Sequence, residues 1–182
     1  MNWFTFFGII FISVFGTMLH FLYDISNHNK FVGLFAAVNE STWEHIKIAL
    51  TATFIWSLFD GFVFGDVNNY FFSKVVSILV LIIFIPLLFY GFKWIIGKSY
   101  LFVDIMIFYI TIVISQIVFM KLLTFSDVGY IVNYVSLILM FMIFGFYMVL
   151  TLMPIKNLFF KDPITKKYGV NGHFHHSHKN KV

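Results

Sequence analysis

The sequence predicts an all-α, polytopic integral membrane protein, with about five transmembrane helices plus a short interfacial or re-entrant helix. Three observations predict it. Apolar residues make up 60% of the chain and charged residues only 11%, with a mean hydropathy of +0.92; a soluble domain carries about 25% charged residues. Apolar runs of about 20 residues, the length that crosses a bilayer, recur between short polar turns. All twelve basic side chains are lysines, and they divide unevenly between the two faces implied by those runs.

Residues 2–23 form the first run. It has no basic leader and no small-residue cleavage site, so it is expected to stay as a helix. Trp3 and Tyr23 mark its interfaces, and His20 and Asp24 share one face near its end. Residues 26–30, SNHNK, are a turn. Residues 31–38 are apolar but too short to span, so they either lie on the interface or re-enter the protein.

A helix restarts at Ser41-Thr42-Trp43-Glu44, which matches a capping box, with Asn39 as a rival cap and Glu40 near the positive end of the dipole. It is expected to reach Phe64, with Lys47 snorkelling to water and Asp60 near the far interface. Gly61 and Gly65 form a small-xxx-small pair that would permit a homo-oligomer. Residues 71–92 are the third span, with Pro86 expected to kink it. Residues 93–100 are a loop, and residues 101–119 a fourth span carrying Asp104 and Gln116. Residues 130–152 are the fifth span, closed by Pro154. The chain thus divides into a transmembrane helical domain, 1–154, and a Lys/His-rich tail, 155–182, expected to be flexible.

Five spans put the termini on opposite faces. With the C-terminus inside, Lys30, Lys47, Lys93, Lys98 and the six tail lysines gather on the inner side, leaving Lys74 and Lys121 outside. The positive-inside rule then predicts a multi-pass protein of the cell membrane with its N-terminus outside and its tail in the cytoplasm. Having no Cys excludes disulfides and thiolate sites, and having no Arg removes the fork that grips phosphate. The basic balance is therefore read as topology, with the lipid bilayer as partner and no nucleic acid.

The chemistry is expected in residues 19–47, a polar stretch in an otherwise oily chain. His20, Asp24, Glu40, Glu44 and His45 belong at the inner ends of the first two spans. Imidazoles and carboxylates suit a divalent metal such as Zn²⁺. His20, Asp24, Glu44 and His45 are the candidate ligands; Glu40 and Glu44 are the candidate catalytic carboxylates. A structural account competes: capping explains Ser41 and Glu44, a Glu44–Lys47 pair and a His20–Asp24 hydrogen bond explain more, and no HExxH spacing is present. Asp60, Asp66, Asn68 and Asn69 read as an acidic mouth or as solvated turn residues. Asp104 and Gln116 read as a polar path or as interhelical hydrogen bonding. His173, His175, His176 and His178 could hold metal loosely.

The run HFLYD followed by FAAVNESTWEH resembles the hallmark of a bacterial family of small membrane proteins of unknown function, and FFKDPITKKYG at residues 159–169 is similar to that family's closing motif. The likeness covers nearly the whole chain to Gly169, while the His-rich end departs from it. The resemblance implies a bacterial integral membrane protein and brings no activity with it. A fainter likeness, to the Asn-Glu…Trp…His motif of the progestin and adipoQ receptor group, fails on a shorter Glu-to-His spacing and on late spans without His. The expected function is a membrane-embedded binding, transport-accessory or structural module. The alternatives are a metal-dependent membrane hydrolase using the polar stretch, and a small transporter lined by Asp104 and Gln116.

Overall fold

The computed structural model describes residues 3–172. Six α-helices follow one another: α1 (Trp3–Ile25), α2 (Lys30–Gly33), α3 (Thr42–Phe64), α4 (Tyr70–Ile96), α5 (Leu101–Leu123) and α6 (Tyr130–Leu152), with a closing 3-10 turn, Gly169–Gly172. All but α2 are long and apolar enough to cross a membrane. At 1.5 Å per residue each extends about 35–40 Å, more than the roughly 30 Å of a hydrocarbon core.

Side-chain contacts fix the direction of each helix. Thr42, at the start of α3, meets the Tyr90 hydroxyl near the end of α4 at 3.0 Å. At the other end of α3, Asp60 pairs with Lys74 in the first turns of α4. The Asn69 amide just before α4 donates to the carbonyls of Leu122, Phe125 and Ser126, after which α6 begins. Asn133 in α6 then accepts from the Phe71 and Phe72 N–H groups. The bundle therefore runs up and down, with the ends of α1, α4 and α6 and the starts of α3 and α5 at one end. The polar stretch lies there.

Of the five long helices α3 is the most enclosed. Its small and branched residues Ile46, Ala49, Leu50 and Ala52 pack against Ile12 and Leu19 of α1 and Leu81 and Ile85 of α4 in one continuous core. Gly16 lets α1 approach α5: a Cβ there would come within 2.9 Å of the Phe108 ring.

Several expectations change. The capping box does not form. The Ser41 N–H that Glu44 would have reached already donates to Asn39 Oδ1 at 2.8 Å, so Ser41 is the N-cap by position, without a side-chain capping bond. Lys47 does not snorkel; it is wholly buried, as is Lys74. The third span runs past residue 92 to Ile96, where Gly97 in the left-handed region (φ 81°) returns its N–H to the Lys93 carbonyl. Of residues 31–38 only one turn is helical; Ala36 and Val38 then pack onto Tyr23. Gly61 faces the Tyr70 hydroxyl of its own chain. Asp60 and Asn69, candidates for a solvated mouth, are both buried.

The expected flexible tail differs most. Residues 155–172 fold back onto the start of α3. Phe160 stacks on Trp43 with ring centroids 4.2 Å apart, and Tyr147 stacks on the other face at 3.9 Å. The Trp43 N–H donates to the Phe159 carbonyl at 3.1 Å. His173, His175, His176 and His178 lie outside the described residues.

Candidate metal centre at the start of the third helix

The loop before α3 is held from three sides. Asn39 donates from Nδ2 to the Gly169 carbonyl at 2.8 Å, and Glu40 donates its N–H to Asp162 Oδ2 at 2.8 Å. Asp162 is fully buried, and its Oδ1 accepts from the Ile164 and Thr165 N–H groups. A Cβ on Gly169 (φ 55°) would come within 2.7 Å of the Thr151 carbonyl, so this close turn needs glycine. Thus the C-terminal segment fixes the backbone that carries Glu40.

On one side of this loop three side chains converge. His20 Nε2 lies 3.4 Å from Glu40 Oε2, and His45 Nε2 lies 3.8 Å from the same oxygen. The two imidazoles are edge to face, with centroids 5.2 Å apart. One ligand atom from each residue lies within 4.8 Å of the others. All three side chains are partly exposed. His45 Nδ1 is 2.9 Å from the Ser41 carbonyl, one turn back. A carbonyl only accepts, so Nδ1 carries the proton and a neutral ring presents its Nε2 lone pair to the Glu40 carboxylate. In that tautomer two acceptors face each other, an arrangement that a bound cation would satisfy. Tetrahedral zinc, with bonds of about 2.0–2.1 Å, separates its ligand atoms by about 3.4 Å; 3.4 and 3.8 Å are close to that. The bond from His45 Nδ1 to a backbone carbonyl is the outer-shell contact that orients metal-binding histidines.

Glu44 and Asp24 do not join this group. Glu44 points into the bundle, where Oε2 accepts from Lys47 Nζ at 2.6 Å and from the Val38 N–H at 3.0 Å, and Oε1 accepts from Thr151 at 3.0 Å. Lys47 also donates to the Gly33 carbonyl at 2.7 Å and to Thr151 Oγ1 at 2.9 Å. All three of its protons are therefore placed. Asp24 pairs with His28 at 3.4 Å, one turn further along. At the opposite end Asp60 binds Lys74 and accepts from the Tyr70 hydroxyl at 2.5 Å, with Lys74 Nζ 3.7 Å over the Phe119 ring. Gln116 is buried, about 18 Å along α5 from Asp104.

The sequence offered Glu40 as a catalytic carboxylate, with Asp24 and Glu44 as the ligands; the structure instead places Glu40 between the two imidazoles. The parts of Asp162, Thr151 and Gly33 were missed. Asp162-Pro163 is a turn-starting pair that could have flagged a capping aspartate; nothing local marks Thr151 or Gly33.

A family model with the description "Family of unknown function (DUF6512)" matches residues 1–170. No curated protein and no solved structure matches the chain.

Proposed function

The chain belongs to this family of unknown function, and from its own geometry we propose that it is a membrane-embedded metal-binding protein. It holds a divalent transition metal, zinc by preference, between His20 Nε2, Glu40 and His45 Nε2. The observation that carries this is the convergence of His20 Nε2, Glu40 and His45 Nε2 within 4.8 Å of one another, with the other nitrogen of His45 already committed to the Ser41 carbonyl. Two imidazoles and one carboxylate leave a further coordination position open, the pattern of zinc sites that take a water or substrate. Glu44, which the sequence offered as a ligand, serves the fold instead. The lysine distribution supports a cytoplasmic position for the site. With Lys47 and Lys74 both in buried ion pairs, the remaining lysines still favour the side of the tail.

The test is metal content of full-length protein purified in detergent, with His173, His175, His176 and His178 changed to Ala to remove adventitious binding. Zinc is expected at about one per chain and is lost in the His20→Ala/His45→Ala variant. A folded protein that retains no zinc at micromolar concentration overturns the reading.

A further inference from the structure

We infer that Asp104 is the acid–base carboxylate of this centre, and that the site hydrolyses an acyl ester. The inference rests on the metal-binding reading above and adds a residue and a reaction to it.

Two observations bring Asp104 to the site. The first is helix register. α1 and α5 are antiparallel and touch where Gly16 meets Phe108 and where Thr17 Oγ1 meets the Tyr109 hydroxyl at 3.0 Å. One turn from Gly16 on the same face is His20, and one turn back from Phe108 on the same face is Asp104. The facing surfaces that join at Gly16 and Phe108 therefore present His20 and Asp104 at one level. His45 stands in the first turn of α3 as Asp104 stands in the first turn of α5, and both helices begin at this end. The second is that Asp104 Oδ1 is buried and accepts no hydrogen bond among the described residues. A carboxylate oxygen shut away from water and donors is costly, and its usual explanation is an ordered water or a functional role.

Distance decides between ligand and base. Asp104 stands outside the group whose ligand atoms lie within 4.8 Å of one another, too far to share a metal at bonds of about 2.0–2.2 Å. A water in the open coordination position, held to Asp104 by a hydrogen bond of about 2.7 Å, would connect the two. Asp104 then takes a proton from that water as its oxygen attacks the ester carbonyl carbon. When the bond from that carbon to the leaving oxygen breaks, Asp104 returns the proton to the departing alkoxide. Ester and water give carboxylic acid and alcohol, with no other reactant. An acyl rather than a phosphoryl ester follows from the surroundings. Leu101, Phe102 and Ile105 flank Asp104 with exposed apolar surface, and a chain without Arg has no fork for a phosphoryl group.

The test uses full-length zinc-loaded protein in micelles, the four tail histidines changed to Ala, with p-nitrophenyl butyrate as probe. Asp104→Asn is expected to keep its zinc and its KM while kcat falls at least about 100-fold. Asp104→Glu, with the carboxylate on a longer stem, keeps a measurable part of the rate, and Glu40→Gln loses zinc and rate together. Zinc bound without hydrolysis of the probe overturns this inference alone. So does an Asp104→Asn rate equal to the parent's, or equal losses in the Asn and Glu variants. Absence of zinc from the parent overturns the metal-binding reading itself.

Discussion

Glu40 and Glu44 stand four residues apart and have opposite tasks, and the difference comes from which groups reach them. Glu44 is locked by Lys47, Thr151 and the Val38 N–H in a site closed to solvent. Glu40 keeps a partly exposed carboxylate beside two imidazoles. Removing one member of a buried ion pair leaves the other charge uncompensated, at a cost of about 3–5 kcal/mol, whereas replacing both with apolar groups of similar volume is often neutral. Lys47→Met is therefore expected to destabilise the protein by about that amount in reversible unfolding from mixed micelles, and Lys47→Met with Glu44→Leu to recover most of it. If the single change is silent, the pair is not the strut that its burial implies. Glu40→Gln should shift stability by no more than about 0.5 kcal/mol, as a partly exposed substitution does, while abolishing zinc retention. The sequence offered both as catalytic carboxylates at the start of one helix and only Glu44 as a ligand; Glu40 lies in the loop before α3, where its N–H is held by Asp162, far along the chain.

The element that governs the site is the segment after α6. Its Lys-rich composition reads as a solvated tail, yet Asp162, Phe160 and Gly169 each complete a contact with the loop of residues 39–43. Composition misleads here because three buried groups suffice to dock a segment whose Lys156, Lys166 and Lys167 stay exposed. Asp162→Ala removes the acceptor for the Glu40, Ile164 and Thr165 N–H groups together. Loss of such an outer-shell contact costs about 10- to 100-fold in metal affinity, so zinc titration should weaken by that factor. Tryptic cleavage at Lys161 and Lys166 should accelerate in parallel. Weakened binding without faster cleavage would mean that Asp162 acts on Glu40 alone; unchanged values of both would deny the clamp. The capping box failed for a related reason at shorter range. Asn39 Oδ1 occupies the Ser41 N–H first, a competition between two valid local rules that the sequence cannot rank.

At the scale of the molecule, the spans were legible because bilayer length and hydropathy are properties of continuous runs: each of the five expected spans lies within one long helix. That His20, Glu40 and His45 share one end of the bundle was legible too, but their convergence within 4.8 Å was not, since it depends on how the loop before α3 is held. Both buried ion pairs also sit on α3, near its two ends, which suits a central helix whose polar groups find partners inside the bundle rather than in lipid. The orientation of the whole is a separate claim, and the chain is well suited to testing it because it contains no Cys. Ser99, in the turn between α4 and α5 at the end of the proposed metal centre, and Ser126, between α5 and α6 at the opposite end, are both exposed. In intact cells a membrane-impermeant maleimide should label Ser126→Cys and leave Ser99→Cys unlabelled until the membrane is permeabilised. The reverse pattern would put the metal centre on the outer face, where the lysines would oppose the positive-inside rule, and a metal drawn from outside the cell would become the natural occupant of the site.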